Sequence, residues 1–158
     1  MAFVRNNVAL SVMGAAALFG AVALIVVFVL VPAFVRSTLV EDLPASGGSS
    51  AAQTLRSGEL VRISAADYGS GTVRIVTVGD QRLLRFESVD IAGAPDMYVY
   101  LSDRTDGQPG TFVDLGKLKA TNGSFNYAIP AAVDLARVRS VVVWCRQFNV
   151  TITFATLG

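Results

Sequence analysis

The sequence predicts an all-β domain, a single β-sandwich or barrel-like unit, preceded by one transmembrane α-helix. Three observations lead to this prediction. A long apolar stretch without a charge lies between Arg5 and Arg36, runs rich in β-branched and aromatic residues recur after it, and turn residues separate those runs. No long amphipathic helical pattern interrupts the runs, and this spacing is typical of sandwiches and barrels.

The apolar stretch over residues 8–35 is long enough for a membrane anchor. At 1.5 Å per residue, a helix of this length reaches about 40 Å and crosses a bilayer core with tilt. The alternative is a cleaved signal peptide, for which Val31-Pro32-Ala33 offers a weak cleavage site. The apolar core of such a peptide is much shorter, so we expect an uncleaved signal anchor.

The charges beside the anchor predict its orientation. Arg5 and the amino terminus precede it, whereas Arg36 is soon followed by Glu41 and Asp42. The positive-inside rule then places residues 1–7 in the cytoplasm. Everything after residue 36 is expected on the periplasmic or extracellular side of the cell membrane, tied to the lipid bilayer by a single pass.

Small residues spaced four apart mark two positions on the predicted helix. Ala16 pairs with Gly20, and Ala17 pairs with Ala21. This spacing lets a second helix approach closely in lipid, which makes these four residues interaction candidates. The alternative is that Ala and Gly are simply common in membrane helices.

Residues 36–54 are expected to form a flexible linker. Their second half, PASGGSSAAQT, has no apolar period, and random-coil scaling gives it a reach of about 20 Å. The β domain predicted over residues 55–158 therefore stays close to the membrane.

The predicted strands begin with TVRIVTV at 72–78, where Gly79-Asp80 suits a two-residue type II′ hairpin into QRLLRF. MYVYL at 97–101 forms the next strand, with Tyr98 and Tyr100 on the face opposite Met97. We favour packing over ligand binding for these tyrosines. Further strands are expected at 112–118, 124–129, 139–145 and 148–154.

The residue inventory excludes several classes of function. The chain has no histidine, which removes the usual general base and the commonest metal ligand. Residues 37–158 hold 11 basic and 12 acidic residues, a balance that gives no footprint for nucleic acid. DRTDG at 103–107 lacks the ligand pattern of a calcium loop and is typical of a turn. We expect no enzyme activity, no metal and no resident cofactor.

The segment SVVVWCR at 140–146 holds the only tryptophan and the only cysteine. On a strand, Val142 and Trp144 point to one face and Cys145 points to the other. If the Cys145 face is inside, Trp144 and Val142 form an outward docking patch; if the Trp144 face is inside, Cys145 is accessible and reactive. Further on, the apolar residues of 148–154 alternate on one face, so a bulge or turn is expected at Arg146-Gln147.

Several segments together resemble a known family. LRFESVDIAGAPDMYVYLS at 84–102, LGKLKATNGSFNYAIP at 115–130 and SVVVWCRQFNV at 140–150 are similar to the small extracytoplasmic domain called DM13 (DM-thirteen), described as an electron-transfer domain. The resemblance covers about residues 56–157. It implies an all-β domain whose cysteine, here Cys145, takes part in redox chemistry as a bare thiol or as a haem ligand.

The residue inventory gives little support for haem binding at Cys145. There is no Cys-x-x-Cys-His motif and no histidine, so a haem would need Cys145 together with Met97 or a tyrosine. We therefore expect a non-catalytic accessory or interaction subunit of a larger membrane complex, such as one that transfers electrons. The alternatives are a redox or haem-binding domain centred on Cys145, and a small-ligand or carbohydrate-binding module that uses Tyr98, Tyr100 and Trp144.

Overall fold

A computed structural model describes residues 14, 16–27, 36–44 and 52–158 of this chain. The chain divides into two units, Met1–Val35 and Arg36–Gly158. In the first unit, residues 16–25 are α-helical and residues 26–27 continue with π-type hydrogen bonding. None of the helices in the described ranges combines the length and the apolar character that a membrane crossing requires. The other residues of the predicted anchor over 8–35 lie outside the described residues, so the anchor stays a prediction.

The four small residues singled out in the sequence lie on this helical segment. All four residues are exposed, and the spacing of four places Ala16 with Gly20, and Ala17 with Ala21, on one side of the helix. The contact with a second helix that this spacing predicts stays a prediction.

The second unit is a two-layer β-sandwich, as the sequence predicts. One sheet has the order β1-β7-β4-β3-β2 and the other has the order β6-β5-β8-β9. The nine strands of the described residues are β1 (Thr38–Val40), β2 (Gln53–Glu59), β3 (Gly69–Val78), β4 (Gln81–Ile91), β5 (Met97–Ser102), β6 (Phe112–Lys117), β7 (Asn122–Ala128), β8 (Ser140–Cys145) and β9 (Val150–Thr156). A short 3₁₀ helix, Leu135–Arg137, precedes β8.

The β3–β4 hairpin forms at the predicted turn. Val78 pairs with Gln81 across two turn residues, and Gly79 has a φ of +58°. Asp80 is not among the residues with positive φ, which is the pattern of a type II′ turn. Glycine suits the first turn position because it adopts this conformation without a steric cost.

The core lies between the two sheets and is built from alternate residues of each strand. The rings of Phe86 and Phe125 stack with centroids 5.0 Å apart, and Tyr127 meets both edge-on. Burial of side chains of this size stabilises the fold by about 1.5 to 3 kcal/mol each. Sheet β6-β5-β8-β9 completes the core with Val99, Leu101, Val141, Val143 and Cys145.

One side of the sandwich is closed by bonds between its sheets, which gives it a barrel-like character. Ser57 and Gly158 exchange two backbone hydrogen bonds of 3.2 and 2.9 Å. At Gly58 an added Cβ would lie 2.2 Å from the carbonyl oxygen of Thr156. A side chain there would push β2 away from β9, so this close approach requires glycine.

Part of the predicted flexible linker belongs to the sheet, which corrects that prediction. β1 pairs in parallel with β7, and Leu43 packs on the outer face of the sheet against Val76, Val78 and Leu83. β2 begins at Gln53, and residues 45–51 of the linker lie outside the described residues. The β-branched pair around Leu39 was the signal for β1, but three residues are too few for a strand pattern to be recognised.

Glu41 fastens this segment to the sheet. Its carboxylate accepts a hydrogen bond from the backbone N–H of Asn126 at 2.8 Å and pairs with the ammonium of Lys119 at 3.0 Å. The Asn126 hydrogen bond, followed by the Lys119 interaction, lowers the pKa of Glu41 below its ordinary value against the opposing effect of burial. The charged carboxylate is therefore favoured in the folded domain.

Candidate functional site

Consecutive side chains of β8 point to opposite faces of the sheet, as the sequence predicts. Val141, Val143 and Cys145 point into the core between the sheets. Val142 and Trp144 point to the outer face, where they pack with Tyr100. The indole and the sulfur are neighbours in sequence but lie on opposite sides of the sheet.

Cys145 is wholly enclosed. Its side chain has no solvent exposure, and its thiol donates a hydrogen bond to the carbonyl oxygen of Pro95 at 2.9 Å. Met97, the second redox candidate, is half-buried and lies directly opposite Cys145 across the β5–β8 pairing. A reagent or an electrophile therefore reaches the sulfur only when this region opens.

The expectation that only one of the two groups would be hidden is wrong. Trp144 is 8% exposed and Val142 is fully buried, although both lie on the outer face of their sheet. They do not form an exposed docking patch. The reason is Phe154 of β9, which packs on this face. The sequence pattern had placed Phe154 on the same face as Ile152.

A bulge in β9 changes the face of its later residues. Val143 pairs with Thr153, but the next residue, Trp144, pairs with Thr151, so Ile152 is an extra residue in the ladder. Ile152 packs in the core, whereas Phe154 lies on the outer face beside Trp144. The prediction that these apolar residues share one face is therefore wrong.

The turn expected at Arg146-Gln147 is present. Residues 146–149 connect β8 and β9, and Asn149 adopts a positive φ of +55°. Asparagine tolerates this conformation better than most residues do, which makes it a suitable end for the turn.

Arg146 covers the outer face of the sheet. Its guanidinium lies 3.4 Å from the ring centroid of Tyr98, and its Nε donates a hydrogen bond to the Tyr100 hydroxyl at 2.7 Å. The same guanidinium pairs with the carboxylate of Asp114. The hydrogen bond to Tyr100 and the pairing with Asp114 raise the pKa of Arg146 above its ordinary value, so the charge persists at every working pH.

We refer to Tyr98, Tyr100, Trp144, Arg146 and Phe154 as the outer aromatic cluster. Tyr98 and Tyr100 share its face, opposite Val99 and Leu101, as the sequence predicts. Tyr100 is 2% exposed, and Phe112 stacks on its ring with centroids 4.1 Å apart. This arrangement fits packing rather than an open platform for a ligand.

An exposed groove lies at the β9 side of this cluster. Trp144 and Phe154 contribute to its lining, Ile63 and Val150 line it while 47% and 40% exposed, and its volume is about 370 Å³. We call it the Ile63 groove. Ile63 stands in the connection between β2 and β3, for which the sequence shows no strand pattern, so the groove was not predicted.

The loop that suggested calcium is an ordinary turn. Asp103 accepts the backbone N–H of Thr111 at 2.9 Å, and Asp106 accepts that of Gln108 at 3.1 Å. The hydrogen bond from Arg104 is the main reason why the pKa of Asp106 falls to about 2. The described part of the chain holds no group of three or more His, Cys, Asp or Glu residues arranged to bind a metal.

The surroundings of Cys145 do not fit a haem ligand. A thiolate on haem iron needs space for the porphyrin on one side of the sulfur. Here the sulfur lies inside the core and the thiol proton is engaged by Pro95. The chain also supplies no histidine for the opposite axial position.

Comparison with known proteins identifies one family. The sequence profile described as "Electron transfer DM13" matches residues 62–157, which is more than half of the chain. No curated protein and no solved structure matches the chain.

Proposed function

Because the chain belongs to the electron transfer DM13 family, we propose that it is a membrane-anchored, extracytoplasmic accessory module of a larger membrane complex that transfers electrons. In this role it binds a partner protein and carries out no chemical step itself. One observation carries the proposal: the only thiol is sealed in the core, whereas apolar side chains of β9 and of the connection between β2 and β3 are exposed around one groove.

The Ile63 groove is the contact surface we assign to the partner. Isolated exposed apolar residues are common, but Ile63 and Val150 flank one groove whose lining includes Trp144. Phe148, in the adjoining turn, is 48% exposed. The groove is also lined by polar residues, among them Asp67, Asp106 and Gln108. Apolar and aromatic side chains beside polar ones are typical of a protein interface, which has an apolar centre and a polar rim.

The proposed anchor keeps the module beside its partner. Residues 8–35 carry no charge, and the distribution of charges on the two sides of this stretch favours a domain outside the cytoplasmic membrane. Because the anchor restricts the module to the membrane surface, a contact of modest area is enough for association with another membrane protein.

The test is co-purification of the full-length chain from its own membranes in mild detergent. We expect defined membrane subunits to accompany the wild-type chain and to be lost from the double variant Ile63→Asp/Val150→Asp. Leu55→Asp is the matched control, since Leu55 is 43% exposed and does not line the groove. A chain that purifies alone, or a double variant that retains every companion, would refute the proposal.

A second candidate function is redox chemistry at Cys145. The observation that favours it is the position of Met97 directly opposite Cys145, which places two sulfur-bearing side chains side by side on adjacent strands. Labelling of the native chain by a thiol reagent, or a visible absorption band in the purified protein, would support this function. An unlabelled thiol and a featureless spectrum would leave the accessory role.

A further inference from the structure

A cleft separate from the Ile63 groove opens between the β5–β6 hairpin and the connection from β7 to β8. Its volume is about 380 Å³, within the range of small-molecule sites in proteins. The walls are mainly apolar, with contributions from Leu101, Phe112, Val113, Pro130, Val133 and Val138. Leu101 and Val138 belong to the buried core, so the cleft extends from the surface to the interior of the sandwich.

Two arginines hold one wall of the cleft in place. Arg82 donates hydrogen bonds to the carbonyl oxygens of Pro130 and Val133, at 2.8 and 3.1 Å. Arg56 donates to the carbonyl oxygens of Leu135 and Val138. Arg82 also donates to the carbonyl oxygen of Ala131 at 2.6 Å, so this connection without strand structure is fixed at five carbonyl groups. The cleft is formed before any ligand arrives, and binding need not order this wall.

The charges at the cleft indicate the class of ligand. Asp103 and Asp134 each accept a backbone N–H, from Thr111 at 2.9 Å and from Ala136 at 3.0 Å. Among the lining residues that the structure describes, Arg137 is the one basic residue, so the charges of these residues sum to one negative charge. The net negative charge of the lining repels an anionic head group. A cationic head group would have to compete with the backbone N–H groups that already bind the two carboxylates. An uncharged molecule avoids both costs.

From the volume, the apolar walls and this charge balance, we propose that the cleft is a binding site for a small, uncharged and mainly apolar molecule. This site is independent of the partner contact proposed above. Entry of such a molecule covers the apolar walls that now line the cleft, and removal of this surface from water drives the binding.

The test uses N-phenyl-1-naphthylamine, an uncharged apolar dye whose fluorescence rises when it leaves water, and residues 36–158. This piece is suitable because Arg36–Gly158 is a compact unit, and every core-cluster residue in the part of the chain that the structure describes belongs to it. Circular dichroism checks that the piece and each variant are folded. We expect a saturable rise in fluorescence, which an uncharged long-chain alcohol reverses more effectively than a fatty acid or an alkylammonium ion of equal length.

Two neighbouring substitutions locate the site. Ala132 lines the cleft, whereas Ala131 does not, and both are exposed. Ala132→Trp fills the mouth and is expected to weaken dye binding about tenfold or more, which corresponds to about 1.4 kcal/mol. Ala131→Trp should bind as the wild type does. As a second variant, Phe112→Ala removes part of the opposite wall and should also weaken binding.

Three outcomes would overturn the assignment. They are the absence of saturable binding to the folded piece, equal binding by the Ala132→Trp and Ala131→Trp variants, and stronger competition by a charged amphiphile than by the alcohol. Loss of the partner contact in the Ile63→Asp/Val150→Asp variant should leave dye binding unchanged, so the two proposals can fail separately.

Discussion

The two faces of β8 are both buried, but different parts of the molecule bury them. On the inner face, Val141, Val143 and Cys145 are covered by the opposite sheet. On the outer face, Val142 and Trp144 are covered by side chains of their own sheet, among them Tyr100 and Phe154. Burial of the inner face follows from the packing of two sheets in any sandwich. Burial of the outer face depends on a few particular residues.

The difference shows where this domain can accept change. The inner face is closed by many contacts that form together when the sheets pack. The outer face is closed by a bulge that redirects Phe154 and by the guanidinium of Arg146 over Tyr98. A single substitution there can expose an apolar surface of the kind that partners bind.

The largest expected effect is that of Trp144→Ala. Because Trp144 is 8% exposed and packs with Tyr100 and Phe154, its removal leaves a cavity beside these two rings. We expect the free energy of unfolding to fall by about 3 kcal/mol, as for other large buried aromatic residues. Urea unfolding followed by circular dichroism measures this change.

Ile63→Ala is the control for the Trp144 substitution, because Ile63 is exposed on the rim of the same groove. It should change the free energy of unfolding by no more than about 0.5 kcal/mol. If Trp144→Ala is equally mild, the outer face is an open surface and the comparison between the two faces does not hold.

The next effect is that of Cys145→Ser. The hydroxyl can still donate to the Pro95 carbonyl, but it places a more polar atom in a fully enclosed position. We expect a loss of about 1 to 2 kcal/mol in the free energy of unfolding. The same urea titration measures it, and native labelling of the wild-type thiol should be no faster than the opening of the domain. Rapid labelling of the folded chain would contradict the enclosed position.

A smaller effect is expected for Arg146→Leu. The substitution removes the hydrogen bond to Tyr100 and the cation above Tyr98, while the apolar part of the side chain remains. The thermal midpoint should fall by less than in Trp144→Ala, and acrylamide should quench Trp144 fluorescence more strongly than in the wild type. Arg146→Lys keeps the charge but lacks the planar group. Its thermal midpoint and its acrylamide quenching should lie between those of the wild type and those of Arg146→Leu. Unchanged quenching in Arg146→Leu would show that Arg146 does not shield the outer face.

The smallest effect is expected for a substitution of Glu41, which lies beside β1 and therefore not in the sheet that contains β8. It tests how β1 is held to its sheet. The pKa of Glu41 is lowered in the folded domain, so its stabilising contribution is complete above the ordinary glutamate value of 4.5 and is lost as the pH falls through the lowered value. Glu41→Gln should reduce stability at neutral pH by about 1 kcal/mol. The gap between variant and wild type should close in acid, as measured by thermal melts across pH. A gap independent of pH would show that the charge has no part in the attachment.

Much of the fold could be predicted from alternation and turn residues. The β3–β4 hairpin and the strands around Tyr98, Phe125 and Trp144 are short runs rich in β-branched or aromatic residues, with turn residues between them. β1 could not be predicted, since it is short and its partner β7 lies far along the chain. The cleft beside Pro130 was not predictable either, because its walls come from two distant connections.

The sequence by itself determined that β8 directs its indole and its sulfur to opposite faces, because consecutive side chains on a strand alternate. It also determined the all-β architecture and the absence of histidine chemistry. Only the tertiary structure decided that both groups are buried. The extra residue Ile152 turns Phe154 onto Trp144, and this depends on the pairing of two strands rather than on the pattern of either one.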